Sequence, residues 1–177
     1  KPIDNIISKA TSYCTNTSKS AFLVSFLTIL VAYFNWGLGL IFGAIFARKV
    51  AENAKRNNYQ INYPLIGAAG YVGLMVWHGG FSGSALAKVA EPNHIKTILQ
   101  QSNLTTSSLA QLPESINYGL TVFSTMNIVV ALACLTIIPQ VLFVVGKKLP
   151  PTKIELSEEG ELFQKPMQKL IGAEKLD

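Results

Sequence analysis

Apolar residues fall along this chain in three long blocks, each bounded by clustered charge. No Asp, Glu, Lys or Arg lies between Lys19 and Arg48, between Arg56 and Lys88, or between Glu114 and Lys147. Uncharged tracts of that length predict membrane-embedded helices. None of the three is a plain run. The first, Ala21 to Ala47, carries Asn35-Trp36-Gly37-Leu38-Gly39 at its middle. The second predicts a helix from Tyr63 to Trp77, entered through Pro64, that reaches only about 22 Å against a hydrocarbon core of ~30 Å. It then stops in His78-Gly79-Gly80-Phe81-Ser82-Gly83-Ser84, where the glycines oppose helix. The third, Ile116 to Gly146, is long enough to cross with tilt, and Pro139 predicts a kink in it.

The first tract admits two readings. It is either one tilted helix or a re-entrant hairpin, with one arm to Phe34, a turn at Asn35 to Gly37 and a return arm from Leu38. Flanking charge separates them. The lead, residues 1–20, has three lysines against Asp4 for a net +2. Residues 47–62 hold Arg48, Lys49, Lys55 and Arg56 against Glu52 for a net +3. Residues 88–114 are neutral, and Lys147, Lys148 and Lys153 follow the last tract. Positive loops face the cytoplasm. Only the hairpin places every positive segment on one side, so the hairpin is the expectation. The division is then a polar, interfacial lead over 1–20, a membrane-embedded region over 21–146, and a cytoplasmic loop or tail over 147–177. Within the lead, Asn16-Thr17-Ser18 fits a glycosylation sequon.

Composition agrees: 49% of the 177 residues are hydrophobic and 14% charged, against about 25% charged in soluble domains. The net charge of +5 flanks apolar segments, so it signals topology and not nucleic acid. Cys14 and Cys134 sit in dissimilar surroundings and are expected unpaired, without metal-ligand spacing. No cofactor or metal is expected. The chain opens at Lys1 without Met, and three embedded segments make a thin bundle in which to bury a broken helix. A piece of a longer polytopic protein is the expectation. The fold class is all-α: a re-entrant hairpin, a broken transmembrane helix and a full transmembrane helix.

A helix broken inside a membrane is tolerated where it is buried in protein or lines a wet cavity, and transporters bind substrate at such breaks. Helix resuming near Ser84 would aim free N–H groups at an anion. Ser82 and Ser84 would add hydroxyls, Gly79, Gly80 and Gly83 would let a ligand approach the backbone, and His78 could donate or carry a proton. Asn35, Trp36 and Gly37 would close the site from the hairpin tip, with Asn127 contributing from the third tract. The same residues also read as packing: small residues at helix contacts, with Gly67, Gly70 and Gly73 among them, a belt Trp, and an amide joining helices. A rival reading takes Gly80-Phe81-Ser82-Gly83 as the nucleophile motif of an intramembrane serine hydrolase, for which His94 is the one other histidine available as base. A scaffold subunit without a site is the third.

The stretches N-W-G-L-G-L-I-F-G-A-I-F-A-R-K-V-A from Asn35, Y-P-L-I-G-A-A-G-Y-V-G from Tyr63 and W-H-G-G-F-S-G-S from Trp77 resemble the bacterial short-chain fatty acid transporter family. L-P-E-S-I-N-Y-G-L from Leu112 is a looser match. That family is grouped with ion transporters built from two inverted repeats, each with a re-entrant hairpin and a broken helix. The resemblance implies a carrier, not an enzyme, taking short monocarboxylates such as acetoacetate or butyrate across a bacterial inner membrane. Na⁺ and H⁺ are the candidate coupling ions, the lipid bilayer is the surrounding partner, and a homodimer is an open arrangement.

Overall fold

The computed structural model describes residues 9–100, 111–154 and 156, and every regular element among them is helical. After helical residues 9–11, these are in order α1 (Thr17–Phe34), α2 (Trp36–Asn57), α3 (Tyr63–Ala69), a 3₁₀ segment (Val72–Gly79), α4 (Ser84–Ala90), α5 (His94–Leu99), a 3₁₀ turn (Tyr118–Leu120) and α6 (Thr125–Lys148).

The central helix is α1, which packs against α2, α3, the 3₁₀ segment and α6. Asn16 starts it, its side-chain oxygen accepting the Lys19 N–H at 3.0 Å. The Asn-Thr-Ser triplet therefore serves as a helix cap. The buried positions of α1 are mostly small: Ser20, Ala21, Val24, Ser25, Thr28, Ile29 and Ala32. Side chains of that size let neighbouring backbones come close, which is how helices associate where lipid removes the hydrophobic drive.

Asn35 has extended backbone (φ −147°, ψ 113°) and works on both sides. Its N–H bonds back to the Val31 carbonyl, and its side-chain oxygen accepts the Leu38 N–H at 2.9 Å. One residue thus closes α1 and caps α2. The return arm consequently begins at Trp36, two residues before the sequence pattern placed it. Along the pair Gly39 faces Ala32 and Gly43 faces Thr28, so the arms are antiparallel. At their open end Asn53 donates to the Thr11 carbonyl at 3.2 Å, and the Asn62 N–H donates to Thr17 Oγ1 at 2.9 Å. The first tract is a hairpin with both flanks at one end, and the single tilted helix is excluded. Its uncharged arms, 21–34 and 36–47, are about 21 and 18 Å long.

The second tract departs from expectation. Regular α-helix ends at Ala69, and the chain continues as a 3₁₀ segment through Gly79. His78 and Gly79 therefore belong to helix, and the break itself is Gly80–Gly83. At about 1.5 Å per residue in α3 and 2.0 Å in the 3₁₀ segment, their fifteen residues together reach roughly 26 Å. Packing against the hairpin accompanies this path. Gly70 meets Gly43 backbone to backbone, and a side chain on Gly73 would lie 2.8 Å from the Ala32 methyl. Gly67, read from sequence as a third packing glycine, has open space where a side chain would be.

The third element, α6, starts at Thr125, and the nine residues before it turn back on α4, with Ile116 N–H donating to Val89 O at 2.8 Å. Pro139 lies within α6 and is buried. Gly146 abuts the backbone of Ser18, pinning the end of α6 to the start of α1. The chain then packs under the α2–α3 link: Asn62 donates to Pro150 O at 2.7 Å and Thr152 N–H to Ile61 O at 3.0 Å. The start of the expected tail is thus docked, and all of its acidic residues lie outside the described residues. Among the described residues, α1 and α6 are the helices long and apolar enough to cross a membrane.

Candidate functional site

The tip of the hairpin and the break in the second tract meet. Phe81 N–H donates to the Tyr33 carbonyl at 2.9 Å, and Trp36 N–H donates to Ser82 Oγ at 3.0 Å. Both bonds join residues more than 45 positions apart, and both use backbone groups released by the end of a helix. The hairpin turn and the break satisfy one another.

Aromatic rings reinforce the junction. Trp36 stacks on Trp77 at 4.6 Å, and Trp77 stacks on His78 at 4.9 Å. On the other side Phe81 packs among Tyr33, Phe34 and Phe123 with centroids 5.5–5.7 Å apart. From α6, the Asn127 amide donates to Gly79 O at 2.8 Å and Val122 O at 2.7 Å. Five predicted site residues, Trp36, His78, Gly79, Ser82 and Asn127, are therefore joined directly to this one junction, and Asn35 supports it as the cap beneath Trp36.

Several of them do a different job from the one the sequence suggested. Space for a side chain on Gly79 is filled by the Asn127 amide, and on Gly80 by the Tyr33 carbonyl. On Gly83 it would lie 2.9 Å from the Trp77 and His78 carbonyls. At these glycines protein approaches protein closely. Gly37 differs, since a side chain there would meet only the Asn35 oxygen at 3.5 Å. Asn127 spends both amide protons on backbone carbonyls, which leaves it an acceptor and a poor partner for an anion.

Donors remain. Ser82 accepts from Trp36, so its own hydroxyl proton is uncommitted. Trp77 Nε1 is a buried donor without a partner, a costly state that calls for an explanation. Sequence reasoning began the site at His78 and missed Trp77. The available signal was the recurrence of a Trp followed closely by Gly in Asn35-Trp36-Gly37 and Trp77-His78-Gly79. His78 itself is exposed. Ser84 opens α4, and its side chain lies outside the described residues. That helix has seven residues, so the dipole argued from sequence is a two-turn one and charge stabilisation falls on individual donors.

The hydrolase reading lacks its base, because the recorded partner of Ser82 is a backbone N–H and His94 sits 3.5 Å from Glu91. Among the described residues no group of three His, Cys, Asp or Glu side chains could hold a metal. The family model described as "Short chain fatty acid transporter" matches residues 1–171.

The chain belongs to the short-chain fatty acid transporter family. It is 29% identical over 174 residues to a protein of Escherichia coli K12 provisionally named a short-chain fatty acid transporter, covering 95% of this chain and 35% of that protein. It is 30% identical over 134 residues to a similarly named protein of Haemophilus influenzae, covering 76% of this chain and 29% of that one. The chain thus spans about a third of the length of these relatives. No solved structure matches it. The family is one of transporters and not of enzymes.

Proposed function

We propose that the full-length protein is a secondary carrier that moves short-chain monocarboxylates across the bacterial cytoplasmic membrane. Acetoacetate- and butyrate-like acids are the substrate class. This chain contributes one hairpin and one broken helix of a multi-pass, inverted-repeat fold. The observation that carries the reading is the junction itself, where a hairpin turn and a helix break satisfy each other's backbone groups. Irregular backbone at membrane depth is the setting in which transporters build substrate sites.

The embedded tracts hold no Lys or Arg, so the carboxylate is neutralised by hydrogen-bond donors. The Ser82 hydroxyl, Trp77 Nε1 and the His78 ring supply them, with Asn35 and Gly37 at the rim and Ser84 at the start of α4. Hydrogen bonds to a charged partner contribute about 1.5–3 kcal/mol each. Two or three give the modest affinity a carrier needs in order to release its substrate. The coupling ion is Na⁺ or H⁺. Counterflow of labelled butyrate or acetoacetate into proteoliposomes of the full-length protein tests the reading, with ion gradients imposed separately. Uptake that follows one gradient is expected. Absence of uptake for every short carboxylate would refute it, and labelling of Ser82 by a fluorophosphonate would reinstate the hydrolase.

A further inference from the structure

Two cavities share the wall formed by Tyr33, Val76 and Ala131. One, of about 370 Å³, adjoins the junction and carries His78, Thr121 and Asn127 in its lining. The other, of about 280 Å³, runs between α1 and α6, and its further lining is wholly apolar, Ile29, Leu132 and Leu135 among it. Polar groups thus gather at one end and hydrocarbon at the other. Both volumes are near the small end of the range that holds a small ligand.

At the polar end, His78 is the one of the three donors proposed above that belongs to the lining. Asn127 has spent its amide protons on Gly79 O and Val122 O. Thr121 Oγ1 points its hydrogen at the Asn117 carbonyl, 3.4 Å away. The ring of His78 is then the side chain of this lining best able to donate to a carboxylate. Beyond the shared wall the lining offers an ionised group no polar side chain, whereas methylenes are favoured on leaving water.

We infer that the two cavities together form the slot for an aliphatic monocarboxylate, its carboxylate at His78 and its hydrocarbon tail directed past Ala131 toward Leu132 and Leu135. The inference rests on the carrier reading and adds to it a residue that measures chain length. Ala131 is the smallest side chain of the shared wall, and the tail is assigned its path there. Enlarging it shortens the acid that fits, and trimming Leu132, in the lining of the apolar cavity, lengthens it.

The test uses the full-length protein in proteoliposomes, with acetate, butyrate and hexanoate each competing against labelled butyrate. In Ala131→Leu the apparent affinity for hexanoate should fall by about 10-fold or more relative to acetate, as expected when a pocket excludes methylenes. In Leu132→Ala the same ratio should move the other way. Transport of acetate by each variant certifies that it is folded. Should Ala131→Leu lose all transport, the ratio in Leu132→Ala decides. Unchanged ratios in variants that still transport acetate overturn the slot while leaving the carrier intact. A wild-type protein that moves no short carboxylate overturns the carrier reading and the slot with it.

Discussion

Ser82 carries two obligations, since its oxygen accepts the Trp36 N–H and the proposed function assigns its proton to the substrate. Ser82→Ala should weaken apparent affinity for butyrate by about 10-fold, the effect of one charge-assisted hydrogen bond at the lower end of its range. Ser82→Thr keeps the hydroxyl and should retain most of the affinity. Equal losses in both would show that the residue serves only the latch. Asn127 should behave differently, because its amide closes on two carbonyls. Asn127→Ala strands both and should cost about 1–3 kcal/mol of stability. It would be read as a lower unfolding temperature in detergent with little change in substrate affinity. At the other end of the molecule Cys14 is fully buried, and burial pushes its thiol up to about 11. Its thiolate at pH 8 should be about 100-fold scarcer than that of an exposed cysteine, so maleimide should label it only after unfolding. The linkage sign follows: the unfolded thiol ionises first, near 9, so stability falls as pH rises from there toward 11 and is unaffected below.

Between elements, the contact that matters most is the one without side chains. Gly43 of α2 and Gly70 after α3 meet backbone to backbone, and Gly73 lies on Thr28 and Ala32 of α1. Gly43→Val should therefore lower stability by about 1–3 kcal/mol or more, the cost of overpacking where nothing flexible can yield. Gly67→Ala, in the same broken segment but facing open space, should instead be neutral or stabilise by up to about 1 kcal/mol through helix propensity. Thermal unfolding of the two variants side by side checks the assignment. Equal losses would mean that the second tract does not seat on the hairpin as described. The pattern of glycines at Gly67, Gly70 and Gly73 was visible in the sequence. Which of them touches another helix depends on how α3 rotates into the groove, and periodicity does not encode that rotation once helix gives way to 3₁₀.

At the scale of the molecule, the reversal at Asn35 places both ends of the hairpin together. Cysteines introduced at Ser12 and Lys55, both exposed, in a background lacking Cys14 and Cys134, should react with impermeant maleimide from the same side of the membrane. Opposite-side labelling would show that the antiparallel pair is not a re-entrant unit. The three uncharged tracts, the reversal at Asn35 and the family were legible in the sequence, because charge exclusion, a capping Asn and motif residues each act locally and need no partner. The identity of the centre was another matter. The broken stretch from Tyr63 to Ala87 drew attention by its glycines, yet the helix around which the others pack is α1, whose Ser, Thr and Ala positions look unremarkable in sequence. Only the tertiary structure decided that Gly79, Gly80 and Gly83 pack closely on other parts of the chain, that Asn127 closes on two backbone carbonyls, and that Trp77 holds an unspent donor. Each of those roles depends on what stands opposite a residue across a gap of dozens of positions, and a residue's own type limits its possible partners without choosing among them.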